Sequence, residues 1–209
     1  MRRINKGIEP QFLTDWKRAH PSGTYGDLSF VERQAIRQAC TVEQNYLCGY
    51  CCDAISGGAA DTVNEHVQAQ KIAPHLTVDF GNILASCAAP HHCDNAHGSK
   101  PFELTPFMAE CESELRYKLS GRVEGLTDRA KEAIQVLNLG DTELSNKALI
   151  EKRKSMCESL LWTNGVDPAE GMEDEDLIAM VIDDLLRPRD QRLDAFAPVL
   201  VNIMRGWLG

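Results

Sequence analysis

The residues with chemical reach sit between Cys48 and Lys100. Cys48 and Cys51 form a CxxC pair, and Cys87 and Cys93 follow about forty residues later. Two cysteine pairs separated by a loop are a common way to hold a structural Zn2+, because thiolates bind the ion tetrahedrally and neutralise it. The second pair is unusual: five residues separate its members, and His91 and His92 lie among them, either able to replace a cysteine. A thiol redox pair is the rival reading, with Cys51 and Cys52 as a candidate sensor. A thioredoxin-like CxxC opens a helix after a strand, whereas this pair follows a predicted helix. Cys40, Cys52, Cys111 and Cys157 have no partner at ligand spacing and read as small core or partly exposed residues.

Between the cysteine pairs stand Glu65-His66 and Asn82, and His97 follows three residues before Lys100. Neighbouring residues on a strand point to opposite sides. One of Glu65 and His66 can therefore ligate a metal while the other faces a water, and a further ligand on a following helix completes an open site. That set suits metal-assisted phosphodiester hydrolysis, in which a neutral imidazole deprotonates water and the ion stabilises negative charge. His20 and His75 lie outside it and read as ordinary surface or core histidines.

Several elements must position these groups. Residues 1–12 read as an extended arm, and Phe12, Leu13 and Trp16 suggest a short helical turn broken by HPSG. Ser29 and Glu32 have capping-box spacing, so a helix should start there and pack through Val31, Ala35, Ala39, Val42 and Tyr46. It leads directly to Cys48. Residues 63–68 read as a strand and 82–86 as its return, and a helix after Cys93 should carry His97 and Lys100. Residues 116–126 read as a hairpin, with a helix as the alternative. Thr127 caps a helix through Leu137 with Ala130, Ala133, Ile134 and Leu137 inward, and NLGD breaks it. Further helices are expected over 142–163, from the Asp167-Pro168 start signal, around Leu177, Met180, Val181 and Leu185, and through Leu193, Phe196, Leu200, Ile203 and Trp207. Pro198 limits or kinks the start of the last.

The chain has 209 residues and a formal net charge of −9. Residues 1–100 are near neutral, with nine Lys/Arg against ten Asp/Glu, while 151–209 carry seven against twelve. The acidic surplus reads as solvated helix faces, and it argues against a protein that grips nucleic acid unaided. No apolar run approaches membrane-spanning length, and the basic N-terminus lacks the apolar stretch of a secretory signal, so a cytosolic (bacterial) protein without membrane contact is expected.

CxxC, then Glu-His, then Asn before a short apolar run, then Cys and H-x-x-K, resembles the signature of HNH nucleases built on a zinc-stabilised ββα-metal finger. The opening RRINKGIEP, the LCGYC stretch and the later LSGRVEGL…AIQVLNL extend the likeness to the HNH subunit of Septu anti-phage systems, which also occurs as an effector beside retrons. The resemblance implies an α+β fold, a small zinc-bound ββα-metal finger embedded in a mostly α-helical protein. It implies three parts: an arm and helices over 1–47, the nuclease core over 48–103, and a helical partner-docking region over 104–209. By position, His66 matches the general base, Asn82 the residue that holds the finger loop, and Glu65 and His97 the ligands of a catalytic Mg2+ or other divalent ion. Cys48, Cys51, Cys87 and Cys93 match the structural Zn2+ ligands. Glu65 stands where Asp is commoner. The usual H/N ligand directly follows the last Cys, whereas His97 lies four beyond Cys93, which leaves Asn95 as an alternative ligand. The implied partners are a nucleic-acid substrate, an ABC/SMC-like ATPase subunit, and a retron reverse transcriptase with its RNA/DNA. The rival function is a non-catalytic zinc-finger adaptor that docks a helical domain onto a partner protein.

Overall fold

The computed structural model describes residues 1–142 and 144–208. It is an α+β protein with seven α-helices and two small two-stranded sheets among the described residues. No described helix is long and apolar enough to cross a membrane.

The first part of the chain builds a cradle for one hairpin. The arm before residue 11 is extended, and Ile4 N–H donates to Pro106 O at 2.7 Å. Helix α1 (Gln11–Ala19) buries Leu13 and Trp16. Helix α2 (Phe30–Glu43) opens on the expected Ser29–Glu32 capping box. Its inward face differs from the expected one: Ile36, Cys40 and Thr41 are buried, whereas Val31 is 73% exposed and Val42 36%. The buried stripe is short and partly polar, so counting aliphatic residues put the face on the wrong side.

Strands β1 (Thr62–His66) and β2 (Ile83–Cys87) pair antiparallel, with Glu65 opposite Leu84 and His66 opposite Ile83. Buried Gln44 secures this hairpin to the end of α2: its amide donates to Ala85 O at 2.8 Å and its carbonyl accepts Ala85 N–H at 2.7 Å. Helix α3 (Asp94–His97) is a single turn and stops before Lys100, because Gly98 takes φ +58. It carries His97 but not Lys100, against expectation.

The second half wraps this unit. Strands β3 (Leu115–Tyr117) and β4 (Val123–Gly125) form a hairpin. Gly121 is required in its turn, since φ is +79 and a Cβ would meet Ile150 O at 2.0 Å. Helix α4 (Asp128–Leu137) is capped by Thr127 and buries Ala130, Ala133, Ile134 and Leu137, as the periodicity predicts. Helix α5 (Lys147–Thr163) starts later than expected, at an Asn146 cap; Glu143, within the expected span, lies outside the described residues. Asp167-Pro168 gives only a turn, ended by Gly171 at φ +75. The helix instead starts at an Asp174 cap as α6 (Glu175–Leu185), with Met180 exposed and Ile178 and Ile182 buried. Helix α7 (Ala197–Arg205) has Pro198 in its first turn, where no N–H is missed, and leaves Leu193 and Trp207 outside. Buried hydrophobic residues from Met1 to Met204 form one cluster, so the wrapping helices share the core of the hairpin.

Candidate active site

The chain leaves α2 through Asn45 and Tyr46, both at positive φ, and turns back over a Leu47–Ala54 bridge. Cys48 N–H donates to Asp53 O and Cys52 N–H to Cys48 O, which closes a tight knuckle holding Cys48 and Cys51. Gly49 N–H adds this knuckle to β2 through Ala85 O at 3.1 Å. Cys87 ends β2, and Cys93 sits at φ +54 immediately before α3. All four sulfurs lie within 4.8 Å of one another and all are buried. The insertion of residues 88–92 is anchored from outside: Cys93 N–H donates to Leu137 O at 2.9 Å, and the Asn138 amide to His91 O at 2.7 Å. Helix α4, with no chemical motif of its own, thus holds the second cysteine pair in place.

Both pairs meet, and His91 and His92 do not replace a cysteine. His92 Nδ1 lies 3.1 Å from Cys93 Sγ and 3.9 Å from Cys87 Sγ, while His91 is exposed. Cys48 Sγ also accepts Cys87 N–H at 3.3 Å. Contacts from the Cys48, Cys51 and Cys93 thiols hold the Cys87 thiol far below its usual value. The Cys51 thiol is pushed up by Cys48 and Cys87, and Cys93 by burial and the same neighbours. Buried sulfurs crowded in this way compete with one another, and a bound dication removes that conflict by stabilising every thiolate at once. The donor set fits Zn2+. With Cys51 in the cluster, a Cys51–Cys52 redox pair loses its attacking thiol. Burial pushes Cys40 and Cys111 up to about 12 and Cys157 to about 11, so they are poor nucleophiles.

Strand β1 divides the remaining groups between its two faces. On one face, Glu65 Oε1 lies 2.5 Å from His97 Nδ1 and accepts the Tyr50 hydroxyl at 3.0 Å. Tyr50 is the third residue of the CGYC knuckle, and His97 rides on the turn that Cys93 starts, so the cysteine cluster positions both partners of Glu65. Phe102 packs edge-on against His97, with ring centroids 5.1 Å apart. Glu65 and His97 are 5% and 1% exposed, a closed pair rather than the open site expected, and His97 Nε2 is buried with no hydrogen-bond partner. Burial and the neighbouring Glu65 carboxylate push Asp94 up to about 7. Burial would also raise Glu65, but the contacts with His97, Asp94 and Tyr50 together outweigh it and hold the carboxyl below its ordinary value. Glu65, Asp94 and His97 are O and N donors of the kind a divalent ion takes, but Nδ1 faces Glu65 and the unused Nε2 points the other way, and among the described residues only the four cysteines bring three such donors together. Asn95 takes no part in this group: its Oδ1 accepts His91 N–H at 2.8 Å and braces the insertion.

On the other face, His66 Nε2 lies 2.8 Å from Thr77 O, and Gln70 Nε2 lies 3.4 Å from Nδ1. A carbonyl only accepts, so Nε2 carries the proton and Nδ1 keeps its lone pair. Burial outweighs the Thr77 bond and holds the imidazole below its ordinary 6.5, hence neutral at neutral pH. Asn82 holds the loop between the strands: Oδ1 accepts Gln68 N–H at 2.8 Å and Nδ2 donates to Gln68 O at 3.0 Å. A cleft of about 520 Å³ opens beside it, lined among others by Gln68, Asp79, Asn82 and Lys100. His20 stacks on Trp16 and His75 is exposed; neither joins the site.

Sequence reasoning missed Tyr50 and Asp94. Asp94 had a signal, since it directly follows the last cysteine; Tyr50 had none beyond lying inside the knuckle.

No family model matches the chain. The chain is similar to an Escherichia coli protein named "Retron Ec83 putative HNH endonuclease", 28% identical over 122 residues, covering 54% of this chain and 45% of that protein. The chain therefore spans less than half the length of this relative.

Proposed function

We propose that this protein is a metal-dependent endonuclease of the HNH type, hydrolysing phosphodiester bonds of nucleic acid. The observation that carries the reading is the Glu65–His97 pair at 2.5 Å, on the strand that also presents His66, with His97 Nε2 buried and unpartnered. A structural zinc module used only as an adaptor gains nothing from such a group, which costs burial of a polar atom without a partner. In this reading β1, β2 and α3 form the ββα-metal finger of residues 48–103, and Zn2+ on Cys48, Cys51, Cys87 and Cys93 holds it. The resemblance to a retron-named HNH endonuclease supports it.

His66 acts as general base. Its Nδ1 takes a proton from water as the water oxygen attacks phosphorus. The bond from phosphorus to one sugar oxygen breaks and that oxygen takes a proton from solvent water, leaving a phosphate monoester and a hydroxyl end. Thr77 O fixes the tautomer, and Asn82 fixes the loop that carries Thr77. Glu65 and His97, with Asp94 beside them, would hold Mg2+ or another divalent ion, whose positive charge would offset the negative charge that develops in the reaction. We place the protein in the bacterial cytosol, in a Septu- or retron-type defence complex with an ATPase subunit, docked through residues 104–209.

The test is co-purification with the products of neighbouring genes, followed by incubation with plasmid DNA and tRNA with and without Mg2+. Cleavage that needs the ion and disappears in His66→Ala at unchanged zinc content is expected. Undiminished cleavage by His66→Ala contradicts the assignment.

A further inference from the structure

Helix α2 carries Phe30, Arg33 and Arg37 on one side, at i, i+3 and i+7. Phe30 is 71% exposed. Arg33 stacks over the Tyr25 ring at 5.2 Å, and that ring meets His66 edge-on at 4.8 Å, so the middle of the stripe stands one ring away from the proposed base. Asn64, on the His66 face of β1, donates to the Tyr25 hydroxyl and to Arg33 O, both at 2.8 Å, and fastens α2 to the strand.

No ion pair among the described residues includes Arg33 or Arg37. The nearby carboxylates are engaged elsewhere: Asp27 accepts Thr24 N–H and Glu32 accepts Ser29 N–H. Arg33 donates one terminal N–H to Gly26 O at 2.7 Å, and Arg37 donates one to Gln34 Oε1. The Nε atoms of both, and Asn64 Oδ1, are buried without partners. Beside the exposed Phe30 ring, two guanidiniums without a carboxylate partner can take an external anion through their terminal nitrogens.

We propose that the Phe30–Arg33–Arg37 stripe is the track that holds a single strand of nucleic acid and leads its phosphodiester to His66. Arg33 and Arg37 stand one helical turn apart, about 6 Å along the axis, on the scale of the spacing between successive phosphates in an extended strand. Each guanidinium contacts one phosphate, and Phe30 stacks on a base, a contact open to every base because each has a π face. The stripe positions substrate and does not touch the reacting atoms. This inference rests on the endonuclease reading for the destination of the strand, but binding is measured separately from cleavage.

The probe is a fluorescein-labelled oligodeoxynucleotide, its ribo counterpart and a duplex of the same length, read by anisotropy at low salt on the full chain carrying His66→Ala. Arg33→Gln with Arg37→Gln should weaken single-strand binding about tenfold or more and reduce the salt dependence by about two phosphate contacts. The double lysine variant should restore much of that salt dependence. Phe30→Ala should weaken single-strand binding more than duplex binding. Arg37→Gln alone, checked for zinc content and circular dichroism, guards against misfolding and should lower the salt dependence by about one contact. An unchanged dissociation constant and salt dependence in the double glutamine variant, or no binding of any probe by the parent chain, overturns the proposal. Loss of binding in these variants with no cleavage by the unmutated protein would retain the track and sink the endonuclease reading. Cleavage with unaltered binding would do the reverse.

Discussion

The cysteine cluster and the Glu65–His97 pair share one hairpin, yet they are finished differently. Each cysteine sulfur has a close neighbour: Cys87 N–H on Cys48, Asp53 N–H on Cys51, and His92 on Cys87 and Cys93. The pair leaves an imidazole nitrogen unused and sets a second carboxyl, Asp94, beside Glu65. The soft, symmetrical, fully surrounded donors suit a Zn2+ that stays. In the proposed reading, the hard, asymmetric and incompletely satisfied donors serve a divalent ion that exchanges. Tyr50 joins them, from inside the knuckle to Glu65. In that reading one region supplies geometry and the other chemistry.

The largest expected effect falls on the first region. Structural zinc contributes about 10–16 kcal/mol in small zinc-bound peptides, against a whole-domain stability of about 5–15 kcal/mol. Cys87→Ser should therefore lose zinc and cooperative thermal unfolding together, by elemental analysis and calorimetry. Retention of a sharp transition would break the division of labour. His66→Ala should fold with its zinc and lose cleavage by about 10²–10⁴-fold, the worth of a general base. Tyr50→Phe removes the link while keeping the ring. Zinc should remain, and affinity for the exchanging ion should fall by about 10–100-fold, as for outer partners of metal ligands, read by calorimetric titration with Mn2+. Equal Mn2+ affinity would mean that the knuckle does not position Glu65.

The smallest effect is on pH dependence. Burial lowers the His66 pKa below 6.5, so the neutral base persists as pH falls through that value and is lost only further down. The acid limb of a pH–rate profile should accordingly lie below 6.5. The same group costs stability in acid, because the unfolded chain takes up the proton more readily than the folded one. An acid limb above 6.5 would place His66 in water rather than against Thr77.

Much of the site was legible because its chemistry is local. A CxxC, a carboxylate beside a histidine and an Asn at the loop return are each visible within a few residues. Helix α4 was legible for the same reason: a Thr cap and aliphatic residues at helical spacing leave one inward face. Other features depend on long-range contacts. The inward face of α2 carries Cys40 and Thr41, and Gln44 at its end is buried because it completes the edge of β2. Composition marks neither Thr41 nor Gln44 as core. Arg153 is 1% exposed, held by Gly121 O of the hairpin turn and Leu139 O just past α4, which come together only in the folded chain. Asp94 acquires meaning only when α3 brings it to Glu65, and Asp167-Pro168 fails as a helix start because Gly171 turns the chain three residues later.

The most direct test of two sites with two jobs is metal content in Glu65→Gln. After dialysis against a mild chelator, the unmutated protein should keep one zinc and bind one further Mn2+ by electron paramagnetic resonance. Glu65→Gln should keep the zinc and lose the Mn2+. Loss of both ions together, or an unaltered Mn2+ signal, would contradict the account.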